Sequence, residues 1–293
     1  MFVVFHQNMM RFGGNAAFRN AHFIAQMGVV GGVIAGLHGG PRVGAAGYTE
    51  LINNGAGMHL NLPGIATALD AGLTQRLIIE VGTTSVGASR EYIGIFWDPN
   101  VLTVQHAGQV AWDAFNRRWG AANNTAAGAF PANRNLNLPG AGGLGLDTRG
   151  LAYIACRRVL NNNPFIIAFL HNMYSVGDKT AAMNNLDVMT GRAMAAAGVG
   201  YGAAEIIIGG DFNVVPPAAA QDRRKRIRST LAARVNRNAA GVARNTTQYN
   251  PYDYWVVSDG AAITDADTHR HLETRWDTDI FCSDHAGVSV DRA

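Results

Sequence analysis

The feature that most narrows the fold is a recurrence of short apolar runs, each cut off by Gly, Pro or Asn, with stretches of mixed character between them. The clearest are Phe2–Phe5, Val29–Leu37, Leu77–Val81, Tyr92–Trp97, Leu151–Cys156, Phe165–Leu170, Glu205–Ile208, Tyr254–Val257 and Val288–Val290. Runs this short and this rich in Val, Ile and aromatic residues read as strands. Helical stretches fall between them at Asn15–Met27, Val110–Trp119, Ala181–Ala197 and Arg223–Asn238. The mixture predicts an α/β layered fold with sheets inside and helices outside. Gly36–Gly64 and Gly120–Gly145, rich in Gly and Asn, read as long loops, which in a compact domain are usually functional.

A chain of 293 residues, 48% apolar and 15% charged, buries a core large enough to fold without a disulfide framework or a metal staple. No internal repeat or linker is visible, so one domain over 1–293 is expected. Cys156 and Cys282 fit either one disulfide or two buried thiols. No apolar run of about 18 residues is apparent, so no membrane-spanning segment is expected. The chain starts on Met1-Phe2-Val3-Val4-Phe5, with no basic start and no cleavage region, so no signal peptide is visible.

Of the 24 basic residues, 22 are Arg and only Lys179 and Lys225 are Lys. The planar guanidinium fork suits phosphate. Genomic base composition favouring Arg, Ala and Gly codons gives the same bias, so it argues for a phosphate ligand only weakly. The densest basic segment is Arg223-Arg224-Lys225-Arg226-Ile227-Arg228, continuing to Arg234, Arg237 and Arg244. On a helix it makes a positive face that serves either as a nucleic-acid backbone contact or as an ordinary solvated surface.

Chemistry concentrates at the ends of the apolar runs. Ile206-Ile207-Ile208 leads through Gly209-Gly210 to Asp211-Phe212-Asn213, so a carboxylate and an amide, two residues apart, project side by side from a strand end. Such a pair holds a hard cation and a phosphate oxygen; an Asp/Asn turn after a strand reads the same way. Ser283-Asp284-His285 places a carboxylate beside an imidazole ahead of another apolar run. His171 ends the run Phe165–Leu170, Asn8 follows the first strand, and Asp253 stands at the mouth of Tyr254–Val257, where an acid can orient an imidazole.

The order Asn8, His171, Gly210-Asp211-Phe212-Asn213, Asp253, Ser283-Asp284-His285 resembles the endonuclease/exonuclease/phosphatase superfamily, which includes DNase I, across nearly the whole chain. Leu77–Ser85 followed by Tyr92–Phe96, Thr148-Arg149-Gly150 before a strand, and Asp253-Tyr254 with Ser258-Asp259-Gly260 are similar to segments of the catalytic B subunit of cytolethal distending toxins. The resemblance implies a four-layer α/β/β/α sandwich of the DNase I-like type. It implies a Mg²⁺ site (or Mn²⁺ or Ca²⁺) near Asn8, Asp211, Asn213 and Asp284. His171 and His285 would be the acid and base, with Asp253 supporting one imidazole. Arg149 and Asn8 would contact the substrate phosphate.

On this resemblance the chain is a metal-dependent phosphodiesterase acting on DNA through backbone phosphates. If the toxin likeness extends to assembly, it takes partner subunits and is secreted or translocated. A lipid phosphate esterase is the alternative substrate reading. The family carries a metal-ligating Glu at the end of its second main strand, in a Leu-Gln-Glu pattern. The matching segment Ala35-Gly36-Leu37-His38-Gly39-Gly40-Pro41 puts Gly39 there. The expectation is therefore weakened Mg²⁺ binding, a different metal with His38 as a ligand, or a degenerate member acting as a binding module. Glu50, eleven residues on in a predicted loop, would have to fold back to replace it.

Overall fold

The computed structural model describes residues 1–13, 17–40, 42–52, 56–83, 90–113, 116–131, 135–136, 149–173, 176–216, 231–248, 250–259, 261–271, 283 and 285–293. In chain order the first half comprises β1 (Phe2–Phe12), α1 (Ala17–His38), β2 (Val43–Ile52), α2 (Ala56–Leu69), β3 (Gln75–Thr83), β4 (Arg90–Trp97), β5 (Leu102–Asp113), β6 (Arg118–Ala126) and β7 (Asn135–Leu136). The second half comprises β8 (Gly150–Arg158), β9 (Pro164–His171), α3 (Val176–Asn184), α4 (Leu186–Ala197) and β10 (Glu205–Asp211). It ends with β11 (Leu231–Arg234), β12 (Asp253–Ser258), β13 (Thr268–His271) and β14 (Gly287–Arg292).

Among the described residues these strands form two mixed sheets, β13-β14-β1-β2-β4-β3-β7 and β11-β12-β10-β9-β8-β5-β6. Period-two alternation assigns each side chain a layer. Phe2 and Val4 of β1 face the second sheet, where they meet Phe165, Ile167 and Phe169 of β9 and Trp255 of β12. Val3 and Phe5 face the other way, against Phe23, Met27, Val30 and Ile34 of α1 and Ile65 of α2. On the far side, Met183 of α3 and Met189 and Ala193 of α4 cover Leu151 and Ile208. The order of layers is α/β/β/α, as expected. Strands buried on both faces read as continuous apolar runs, which is why β1, β9 and β10 stand out in the sequence.

Several local expectations are corrected. Val29–Leu37 is not a strand but the second half of α1, because its apolar residues continue the helical spacing of Phe23 and Met27 through Val30 and Ile34. Gly36–Gly64 is not a loop: it contains β2 and much of α2, hidden because the first half of β2 is mostly Gly and Ala. Val110–Trp119 is not a helix but the end of β5 and the start of β6, whose Trp112 and Trp119 stack edge-on. The expected loop Gly120–Gly145 begins as strand β6. The expected helix Arg223–Asn238 is, in its described part, the edge strand β11 paired with β12; Arg223–Arg228 lie outside the described residues. Cys156 is a buried free thiol, while Cys282 lies outside the described residues. The expectation of no long apolar run is also revised: α1 is long and apolar enough over Arg19–Leu37 to cross a membrane by length and composition, yet one face of it packs on the sheet.

A close packing constraint lies where α1 crosses α2. A Cβ at Gly31 would collide with the carbonyl oxygen of Leu69, while one at Gly32 would meet nothing within 4 Å. Gly31→Ala should therefore cost on the order of 1–3 kcal/mol by overpacking. Gly32→Ala should be neutral or stabilising by up to about 1 kcal/mol, since Ala is the better helix former. Urea melts of the two variants check this; equal midpoints would contradict the close helix crossing.

Candidate active site

The inter-sheet core turns polar at one end, and the change follows the strand period. On β1 the inward row runs Phe2, Val4, His6, Asn8. On β9 it runs Phe165, Ile167, Phe169, His171, and on β10 Ile207, Gly209, Asp211. The antiparallel neighbours β4 and β12 reach the same end with their first inward residues, Glu91 before Ile93 and Asp253 before Trp255. Register fixes the arrangement across strands: Asp211 pairs with His171 on one side and with Asp253 on the other.

Asp211 is the centre. Its Oδ2 lies 3.6 Å from His171 Nε2 and 3.7 Å from His285 Nε2, so the two imidazoles flank one carboxylate. Asn8 donates to the same oxygen at 3.2 Å, and the Asn213 amide N–H donates to Oδ1 at 2.9 Å. Asn213 adopts a left-handed φ of 50°, and its side-chain amide also donates to the Asn172 carbonyl. Behind it Phe212 stacks on Tyr254 at 4.2 Å, anchoring the turn.

Each imidazole is held from behind by a carboxylate. His285 Nδ1 lies 2.7 Å from Asp253 Oδ2, which also accepts the Thr246 hydroxyl at 2.8 Å. His171 Nδ1 lies 2.5 Å from Glu91 Oε1. Arg149 completes that group, with Nε 3.2 Å from Glu91 Oε2 and Nη1 donating to His171 Nε2 at 3.1 Å and to the Asn172 carbonyl at 2.9 Å. Burial opposes the charge on both His171 and Glu91, and Arg149 further disfavours the imidazolium. The Glu91–His171 attraction outweighs these effects, holding Glu91 below its ordinary range and His171 above. With Arg149 donating to Nε2, that nitrogen must be the acceptor, so protonating His171 requires Arg149 to move away. Ser283 closes the floor, its hydroxyl donating to the Asn8 carbonyl at 2.6 Å and accepting the His285 N–H.

The structure thus brings together Asn8, Arg149, His171, Asp211, Asn213, Asp253 and His285 of the expected residues; Asp284 lies outside the described ones. It corrects the metal-Glu position. Gly39 follows the end of α1 with φ 66°, and the Gly40 N–H caps the Ala35 carbonyl, so this segment is a helix stop and His38 closes a helix. The carboxylate at the end of the second strand is Glu50 on β2. There β1 and β2 slip: Asn8 pairs with Thr49 and Phe12 with Leu51, so Met9, Met10 and Arg11 oppose Glu50 alone. Glu50 takes φ 57°, and the carboxyl is pushed up by burial and by Glu91 and Asp211, with His171 and Arg149 opposing.

Sequence reasoning also missed Glu91, although Glu91 and Tyr92 open a recognised strand. Arg234 and Arg237, expected on a phosphate-binding face, are committed to the Ile263 carbonyl and to Asp265. Glu50 and Asp211 offer hard carboxylate oxygens of the kind a divalent cation takes, while Asn8 turns its Nδ2 to Asp211 and gives its Oδ1 to the Met10 N–H. Among the described residues no three His, Cys, Asp or Glu side chains close on one point.

No protein-family model and no curated protein matches the chain. Solved structures match it along its length. A mannosyl-6-phosphatase from Bacteroides thetaiotaomicron is 15% identical with TM-score 0.57, over 99% of each chain. An endonuclease/exonuclease/phosphatase family protein from Leptotrichia buccalis is 10% identical with TM-score 0.61, over 100% of both. The human Nocturnin catalytic domain with bound sulfate anion is 12% identical with TM-score 0.58, over 99% of this chain and 92% of that one. At these identities the likeness establishes the fold, which is that of the endonuclease/exonuclease/phosphatase proteins.

Glu91→Gln tests the ion pair. The Glu91 contribution to stability is present above its ordinary value of 4.5 and is lost as pH falls through the lowered folded value. The His171 contribution is present below its ordinary 6.5 and is lost as pH rises through the raised one. The melting-temperature difference between wild type and Glu91→Gln should therefore be widest between 4.5 and 6.5. A difference that does not vary with pH would contradict the pair.

Proposed function

We propose that the chain is a divalent-metal-dependent phosphodiesterase of the DNase type. The observation that carries this reading is the pair of imidazole–carboxylate dyads, His171–Glu91 and His285–Asp253, converging on Asp211 beside Arg149. Hydrolysis of a phosphate ester needs a base for the attacking water, an acid for the leaving oxygen and positive charge for the phosphoryl group. His285, oriented by Asp253, accepts the water proton through Nε2. His171, whose proton affinity Glu91 raises, delivers a proton to the leaving oxygen as the P–O bond breaks.

Arg149 leaves His171 Nε2 for a phosphate oxygen, which frees that nitrogen to carry the proton. Asn8, Glu50, Asp211 and Asn213 would hold the cation, of the Mg²⁺, Mn²⁺ or Ca²⁺ class, with Asp284 as a further ligand by the sequence resemblance. When bound there, such a cation would supply positive charge for the phosphate oxygens. In this reading Glu50, at the end of β2, takes the part that Gly39 could not. The toxin-level likeness rests on sequence segments alone and adds nothing to this chemistry.

Nicking of supercoiled plasmid in Mg²⁺ or Mn²⁺ is the test. His171→Ala and His285→Ala should each lower the rate by about 10²–10⁴-fold, the usual scale for a lost acid or base. Glu50→Gln should raise the metal concentration needed, and Gly39→Glu should gain nothing. Phosphate release from lipid or sugar phosphate esters without nicking would move the substrate class to monoesters. A folded sample inert to both would refute the enzyme.

A further inference from the structure

We propose that His6 is a positioning residue of this site, its Nδ1 aimed from the core at Asp253 Oδ1 to fix the carboxylate that orients His285. The inference rests on the catalytic reading above. His6 follows Phe2 and Val4 on the inward row of β1, where a third apolar residue would be unremarkable; instead an imidazole is fully buried. Its Nε2 lies 3.0 Å from the Thr49 hydroxyl. Its Nδ1 lies 3.7 Å from Asp253 Oδ1, and neither of those two atoms has a hydrogen-bond partner among the described residues.

The other oxygen of Asp253 is taken by His285 and Thr246, so Oδ1 is the acceptor the carboxylate has left. A neutral imidazole carries a single N–H. The tautomer with this N–H on Nδ1 faces it at Asp253 and leaves Nε2 to accept from the Thr49 hydroxyl. A separation of 3.7 Å is beyond a formed hydrogen bond, but catalytic hydrogen bonds often stand long before substrate binds and then tighten.

The seat around His6 is built for a ring. Phe169 stacks on it at 6.2 Å and 20°. The residue paired with His6 on β2 is Gly47, where any Cβ would collide with the Phe169 ring. The chain Thr49–His6–Asp253–His285 therefore links β2 and β1 of one sheet to β12 of the other.

Three substitutions separate the two nitrogens. His6→Asn keeps a donor near the Nδ1 position, His6→Gln keeps one near Nε2, and His6→Phe keeps only the stacked ring. Cleavage of a small phosphodiester, bis-p-nitrophenyl phosphate, in Mg²⁺ should show kcat near wild type for His6→Asn. His6→Gln and His6→Phe should lose about 10–100-fold in kcat with KM unchanged, the usual scale for removing an outer-shell partner. The downfield Nδ1 proton resonance of His285 should persist in His6→Asn and shift or broaden in His6→Phe.

Equal loss in His6→Asn and His6→Phe, or wild-type kcat in all three, would overturn the proposal. If His6→Phe fails to fold, Thr49→Val takes its place, with a smaller kcat loss and a shifted His285 resonance expected; no change in either overturns the proposal. If the wild type cleaves nothing, the catalytic reading fails by itself. The resonance then decides: a shift in His6→Phe supports the positioning contact, and an unchanged signal refutes it.

Discussion

Four carboxylates, Glu50, Glu91, Asp211 and Asp253, are drawn into one end of an otherwise apolar sandwich, and the rest of the site follows from what each then requires. An ionised carboxylate removed from water must be paired or hydrogen-bonded. Glu91 is met by His171 and Arg149, Asp253 by His285 and Thr246, and Asp211 by the amides of Asn8 and Asn213. Glu50 is the member whose surroundings disfavour its charge, since burial and two like charges outweigh His171 and Arg149. A structure arranged for stability alone would not gather these groups. Their convergence leaves two imidazoles in defined orientations around Asp211, the arrangement on which the proposed phosphodiesterase reading rests.

The backbone is bent to achieve it. Of the non-glycine residues with positive φ among those described, Met10, Arg11, Glu50 and Asn213 all lie at the site's strand ends. Left-handed conformations in such residues are uncommon and cluster where a site needs a side chain redirected. In Glu50 the effect is direct. The slip between β1 and β2 leaves it alone opposite three residues, breaking the alternation that would otherwise fix its direction.

The same slip explains what the sequence could and could not reveal. Asp211-Phe212-Asn213 and His171 were legible because each follows an apolar run whose period points it inward, and His285 because it stands just ahead of one. The layers were legible for the same reason. Strand β2 was not: Val43-Gly44-Ala45-Ala46-Gly47 has too little apolar bulk to read as a strand, because its glycines make room for the rings of Phe2 and Phe169. Having lost the strand, sequence reasoning took Gly39, which follows a helix, for the strand-end position that Glu50 occupies. The error lay in tertiary packing, where the size of a neighbouring ring decides which residue a strand carries.

Three histidines share this end of the sandwich, and residue type says nothing about how they differ. His6 is enclosed by apolar rings, with a hydroxyl at one nitrogen, and is held neutral far below the physiological range. His171 meets Glu91 at hydrogen-bond distance and is raised despite its burial. The ring of His285 is fixed through Asp253. Imidazole titrates near neutrality only when its surroundings leave it there. Here the carboxylates decide: the ring with one at 2.5 Å gains proton affinity, and the ring whose nearest is 3.7 Å away does not. Distance to a carboxylate, set by strand register, raises the proton affinity of one buried imidazole and leaves that of another lowered.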